Sequence, residues 1–233
     1  MSSILPAWAS RVCIEGVLHR HRPSRIRQWV QPGYAIDVRR TYRLWLKSGA
    51  MRMRYVRRQR YTRPGRLVVL WDVSGSMAET ISLYLPWLHR LAASSRDVGV
   101  FPFGVRVADL TEDIRKAYPT AVQAMADMPG LWESGTSIGL ALQDWTTRHS
   151  TKWLRGRSTV LIISDGWDSG TPEAVANALR AFCARDARIV WMHPLLRSPG
   201  FELKTRALLA ARPYVDQWLP GGSPEDLLHA SIS

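Results

Sequence analysis

Cysteine is scarce: the 233 residues hold only Cys13 and Cys183. Two thiols cannot build a disulfide framework, so an apolar core must carry the stability, and a reduced, cytoplasmic setting is expected. Long apolar runs are missing too. No stretch of eighteen apolar residues could cross a bilayer. Met1 to Ser10 lacks the charged start and apolar middle of a signal peptide. The six histidines, at 19, 21, 89, 149, 193 and 229, show no zinc-site spacing. Acidic side chains are nearly absent from the first quarter. Residues 1–66 carry sixteen Lys and Arg against Glu15 and Asp37 alone, a net of +14. The other sixteen bases face seventeen acids, so the rest of the chain is close to neutral. That charge break at Pro64-Gly65 predicts a basic N-terminal extension over residues 1–65 and a folded domain over residues 66–233. With 46% apolar residues, the domain has enough side chains for one α/β core.

What is present centres on Leu67-Val68-Val69-Leu70-Trp71-Asp72-Val73-Ser74-Gly75-Ser76. The apolar run predicts a strand buried on both faces, as in a parallel sheet. It ends in Asp72, with hydroxyls at Ser74 and Ser76. A loop at the carboxyl end of a parallel strand is where open α/β folds bind ligands. Ser134-Gly135-Thr136-Ser137 puts another hydroxyl into a turn before a helix, and Val160 to Asp165 is a second buried strand ending in an acid. Carboxylate and hydroxyl oxygens are hard donors, suited to Mg2+ or Mn2+ rather than zinc. A lone Asp-x-Ser-x-Ser is weak evidence, because the same residues make an ordinary helix cap.

Strand and helix patterns alternate through the domain, which predicts an α/β, doubly wound, mostly parallel central sheet with helices on both faces. Ile81, Tyr84, Leu85, Leu88 and Leu91 mark one helix, with Pro86 expected to kink or shorten it. Strands are expected at Asp97–Phe103, Ala187–Met192 and Pro213–Leu219, and Val105–Leu110 as the second arm of an antiparallel edge hairpin. Thr111 is expected to cap a helical turn. Further helices are expected from Pro119, from Ile138, from Pro172 behind a Thr171 cap, over 201–211 and from Pro224. In the extension, Ile36–Leu46 predicts a short helix. Met51–Tyr61 starts by alternating apolar and basic residues, which predicts a strand.

Asp72, Ser74, Ser76, Thr136 and Asp165 resemble the metal-ion-dependent adhesion site of von Willebrand factor A domains. All five positions of that motif are filled, in order, on three loops. Ser164-Asp165-Gly166-Trp167, Trp191-Met192-His193-Pro194-Leu195 and Ile36-Asp37-Val38-Arg39-Arg40-Thr41 extend the likeness to the CoxE-like group of von Willebrand A proteins, over about residues 36 to 227. The chain departs from that group's pattern at Ser134, Ser137 and His193. The resemblance implies a non-enzymatic cytoplasmic accessory protein that holds Mg2+ or Mn2+. It further implies work with a MoxR-type AAA+ ATPase in maturing or activating a client that presents an acidic residue, often a metalloenzyme.

Two other readings compete. An Asp at a strand end also suggests a haloacid-dehalogenase-like phosphatase with Asp72 as nucleophile. That chemistry needs a second acid two residues on, where this chain has Ser74. The basic arm, with Tyr42, Trp45, Tyr55 and Tyr61 interleaved, could instead bind nucleic acid. It carries no recognisable DNA-binding motif, so Arg57, Arg58 and Arg60 are expected to dock a protein. Trp132, just before Thr136, is expected at the rim of the site. Asp168 is expected to cap a helix entry.

Overall fold

The computed structural model describes residues 4–11, 21–28, 35–51, 53–128 and 136–230, with the backbone alone at 21–28, 35 and 58–64. The chain divides into two compact units, one of residues 21–64 and one of residues 1–20 with 65–233.

The smaller unit contains β1 (His21–Gln28), β2 (Ala35–Ile36), α1 (Val38–Lys47) and β3 (Arg57–Pro64). Its sheet is antiparallel in the order β1-β3-β2. Asp37 starts α1: its Oδ1 accepts from the Arg40 amide at 2.9 Å. The predicted strand from Met51 begins only at Arg57. Val56 is committed to the helix instead. Its carbonyl accepts from the Asp37 amide at 2.7 Å, and its amide donates to Thr41 Oγ1 at 3.0 Å.

The larger unit runs β4 (Arg66–Asp72), α2 (Ile81–Ser94), β5 (Val98–Phe103), α3 (Tyr118–Ala126), α4 (Ile138–Trp153), β6 (Ser158–Ile163), α5 (Pro172–Cys183), β7 (Ala187–His193), α6 (Arg206–Ala211), β8 (Gln217–Pro220) and α7 (Pro224–Leu228). A 3-10 helix at Ala7–Arg11 precedes them. The five strands are all parallel, in the order β5-β4-β6-β7-β8. Alternation along the strands sorts the core into two layers. Leu67, Val69, Trp71, Leu161 and Ile163 pack with α2, α3 and α7. Val68, Leu70, Val160 and Ile162 pack with α4, α5 and α6. This is the doubly wound α/β sheet expected, with helices on both faces. No helix among the described residues is long and apolar enough to cross a membrane.

Local departures have local causes. The α2 helix passes through Pro86 without ending, because a proline costs one hydrogen bond while Tyr84, Leu85, Trp87 and Leu88 around it stay buried. Residues 105–110 form no regular strand. They touch β5 through a single antiparallel bridge, Phe103 to Val107, and through Ala108 and Leu110 amides donating to the Pro102 and Val100 carbonyls. Thr111 does not cap the turn after it. Its Oγ1 accepts from the Val100 amide at 3.2 Å. The helix expected over 201–211 forms only at Arg206–Ala211, capped by Thr205, whose Oγ1 accepts from the Leu208 amide.

Order reverses at β4. The chain leaves β4 through α2 to β5 on one side, then returns across it through α3 and α4 to β6 on the other. The carboxyl ends of β4 and β6 therefore lie side by side at the switch point, where such sheets open a crevice.

Candidate functional site

At that switch point Asp72 ends β4 fully buried. Its Oδ1 accepts from the Ser74 amide at 3.0 Å, and its Oδ2 accepts from the Ser164 hydroxyl at 2.7 Å. Burial pushes the Asp72 carboxyl up to about 6, against the lowering effect of the Ser164 and Ser74 hydrogen bonds, and the Asp165 charge adds to the rise. Among the described residues no Lys or Arg pairs with Asp72 or Asp165.

Ser74 begins the 3-10 helix Gly75–Thr80, but its hydroxyl makes no capping bond. Asp72 supplies the turn instead, through the Ser74 amide. Ser74 is 5% exposed, and its Oγ lies 3.2 Å from the exposed Ser76 Oγ. The ordinary-cap explanation of Asp-x-Ser-x-Ser thus fails for Ser74. Two hydroxyls stand together beside an uncompensated buried carboxylate.

Thr136 and Asp165, both buried, come from the other two loops. They are held by one segment, 164–170. The Ser169 amide and hydroxyl both donate to the Thr136 carbonyl, at 2.9 and 2.6 Å. Asp168 Oδ1 accepts from the Ile138 amide at 3.0 Å and the Gly170 amide at 2.9 Å. Asp168 does serve a helix entry, but that of α4, reached from a different loop. Asp165 Oδ1 accepts from the Trp167 amide at 3.0 Å. Gly166 makes this hairpin bend at φ +74°, pressed so close to α6 that a Cβ there would meet Leu208 Cγ at 2.4 Å.

Beneath the segment lies β7. Trp191 Nε1 donates to the Ser164 carbonyl at 3.0 Å. His193 Nδ1 accepts from the Leu195 amide, so Nε2 carries the proton and donates to the Asp165 carbonyl at 3.0 Å. Burial lowers the pKa of His193, which favours this neutral form.

The donor set suits a small hard cation. Three hydroxyls and two carboxylates come from three loops at one edge of the sheet, and the buried Asp72 lacks a positive partner. A divalent ion would supply that charge and reverse the penalty of burying Asp72. No cluster of three His, Cys, Asp or Glu side chains suited to a metal exists among the described residues.

Sequence patterns alone did not flag Ser164, Ser169, Trp191 or His193 as parts of this site. Ser164 carried the only local signal, a hydroxyl between a buried strand and an Asp-Gly turn. Trp132 lies outside the described residues, as do Ser134, Gly135 and Cys13. Arg57 is exposed at the start of β3; Arg58 and Arg60 follow it on the same strand.

A family model described as VWA domain containing CoxE-like protein matches residues 11–227. No curated protein sequence matches the chain. Among solved structures, the pilus adhesin SpaC from Lactobacillus rhamnosus GG is similar at TM-score 0.50 and 11% identity, over 73% of this chain and 29% of that one. Proximal thread matrix protein 1 from the mussel byssus is similar at TM-score 0.47 and 19% identity, over 70% and 44%. A von Willebrand factor type A protein from Catenulispora acidiphila is similar at TM-score 0.46 and 16% identity, over 72% and 41%. The chain thus aligns with less than half the length of each of these three.

Proposed function

The chain belongs to the CoxE-like family of VWA-domain proteins, and on that premise we propose that it is a non-enzymatic, metal-dependent protein-binding module. Asp72, Ser74, Ser76, Thr136 and Asp165 would hold one Mg2+ or Mn2+ ion at the switch point. Bound there, the ion supplies an open coordination position that a carboxylate from another protein can fill. One observation carries this reading: the Ser74 hydroxyl is buried beside Asp72 and is not used as a helix cap.

This chain's own residues do the positioning. Ser164 and the Ser74 amide orient the two Asp72 oxygens. Ser169 and Asp168 lock the Thr136 loop to the Asp165 loop. His193 and Trp191 hold the latter loop from below. The same motif speaks against the phosphatase alternative. Ser74 stands where that chemistry requires a second acid and cannot act as one.

The partner is a MoxR-type AAA+ ATPase, whose conformational work the module passes to a client protein presenting an acidic residue, in the cytoplasm. The client is a metalloenzyme in the version of this reading closest to the family. Arg57, Arg58 and Arg60 give a second, metal-independent contact that raises avidity. Weak, salt-sensitive nucleic-acid binding is expected of any arm this basic.

Titration calorimetry with Mg2+ and Mn2+ tests the site. Wild type should bind one ion, and Asp72→Ala should give no binding heat. Asp72→Ala should keep the fold, because the relief of a buried charge offsets the loss of the acceptors for the Ser164 hydroxyl and the Ser74 amide. Equal affinity in both proteins would eliminate the assignment.

A further inference from the structure

Carboxylates occur on every protein surface, so a single metal–carboxylate contact cannot choose a partner. Selection must come from contacts beside it. The structure carries such a surface next to Asp165. Trp167 is 69% exposed, the largest side chain so presented among the described residues of the larger unit. Its position is tied to the site, because its amide makes the hydrogen bond to Asp165 Oδ1.

Trp167 lines a cleft of about 460 Å3 with Asp168, Lys204, Thr205 and Arg206. That volume lies within the usual range for a bound small ligand or a few side chains. Lys204 is exposed and pairs with Glu202 at 3.0 Å. Arg206 is exposed and makes no ion pair among the described residues. The cleft floor is fixed by Gly166, bent against Leu208, and by Asp168, whose Oδ1 is held by two amides. An exposed Trp beside an Arg, on a rigid floor, has the composition of an interface hot spot.

We infer that Trp167 and Arg206 form the specificity pocket of the module, receiving an extended partner segment in which the metal-binding acid is followed two residues on by an apolar or aromatic residue and four residues on by a second acid. The aromatic residue stacks on Trp167. The second acid pairs with Arg206, where its charge is complementary. In an extended chain, residues two apart fall on one side, roughly 7 Å from each other. One short segment can therefore reach both the Asp165 loop and the cleft. This inference rests on the metal-dependent reading above and adds the identity of the residues flanking the acid.

Fluorescence anisotropy with three labelled synthetic peptides tests it. One has a single Glu among Gly and Ser, one adds a Phe two residues after the Glu, and one adds both that Phe and an Asp two residues further on. Each is measured in Mg2+ and in EDTA against wild type, Trp167→Ala, Arg206→Ala and Thr136→Ala. The full peptide should bind wild type about tenfold tighter than the single-Glu peptide, as expected of hot-spot contacts. Trp167→Ala should bring the peptides to within about twofold of one another while Mg2+ dependence remains, since it keeps the backbone bond to Asp165. Arg206→Ala should remove only the gain from the second acid. Equal binding of the three peptides to wild type, or a preference surviving Trp167→Ala, overturns the pocket and leaves the metal site standing. Flank preference that persists in EDTA and in Thr136→Ala supports the pocket and breaks the metal reading instead.

Discussion

The two units of this chain are held together by different means. In residues 65–233 the strands bury every residue from Leu67 to Asp72 and from Ser158 to Ile163, and helices cover both faces. In residues 21–64 the only buried side chains among those described are Asp37 and Thr41, both polar and both hydrogen-bonded. Val38, Tyr42, Leu46 and Met51 of that unit are exposed. One unit is a core with a site at its edge. In the other, the described residues show a sheet and a helix joined by backbone and cap bonds. Mutations should therefore have large effects on stability in the first unit and small effects in the second.

The sharpest contrast is in the core. Leu161→Ala, in the central strand β6, should cost about 2–5 kcal/mol. Tyr42→Ala, on the exposed face of α1, should stay within about 0.5 kcal/mol. Urea denaturation followed by far-ultraviolet circular dichroism measures both. A large loss for Tyr42→Ala would overturn the contrast.

Ser164→Ala comes next. It removes the donor to Asp72 Oδ2 and leaves a buried carboxylate oxygen without its partner. A loss of about 1–3 kcal/mol is expected. Metal affinity should fall with it, because Asp72 is no longer held in place. Urea melts paired with calorimetry would separate the two effects.

A smaller effect concerns pH. The His149 ring packs 4.9 Å from Phe101 and stacks on Trp145. Burial lowers its pKa, partly offset by Asp109, while Arg148 and Lys152 lower it further. A histidine whose folded pKa lies below its unfolded value binds fewer protons when folded. Its contribution is full above the unfolded value, near 6.5, and is lost as pH falls through that region. Over pH 7.5 to 5.5 this works against the buried Asp72 carboxyl, raised to about 6, whose contribution grows as pH falls. His149→Leu should make stability rise more, or fall less, on acidification than it does in wild type, and an unchanged slope would remove His149 from that balance.

The smallest effect on stability belongs to the arm. Replacing Arg57, Arg58 and Arg60 with Gln should leave the unfolding midpoint unchanged within about 0.5 kcal/mol. Co-purification of the ATPase proposed above should lose its salt dependence and keep its sensitivity to EDTA. If EDTA sensitivity disappears instead, the two contacts are not separable.

The same contrast governs what the sequence makes legible. Apolar runs at 67–71 and 160–163 and the helix stripe Val175, Ala178, Leu179 and Phe182 announce themselves by period. Each is buried as expected. Thr171 before Pro172 marks a helix start, and Thr171 does accept from the Ala174 amide. Four of the five candidate ligands follow from their place at strand ends, and Thr136 from its place before a helix. The bonds that arrange them are invisible locally. Ser164 reaches Asp72 across 92 residues, Asp168 reaches Ile138 across 30, and His193 reaches Asp165 across 28. No spacing rule encodes such pairs, because sheet order alone makes them neighbours. The short elements also escape. Residues 201–205 have the composition of a helix, yet Thr205 starts one only at Arg206.

The edge strand β5 closes the sheet to strangers. Residues 98, 100 and 102 turn their backbone groups outward. The Val98 carbonyl accepts from Arg115, the Val100 amide donates to Thr111, and the carbonyls of Val100 and Pro102 accept from the 105–110 arm. Pro102 has no amide hydrogen to offer, and it stands where that hydrogen would have pointed away from β4. An incoming strand would therefore find no vacant donors along this border. At the opposite border, β8 is four residues long and ends in Pro220. Here irregular chain, one arginine and two prolines guard the rims, so self-association by sheet extension, the common route to fibres, is blocked at β5 and kept short at β8.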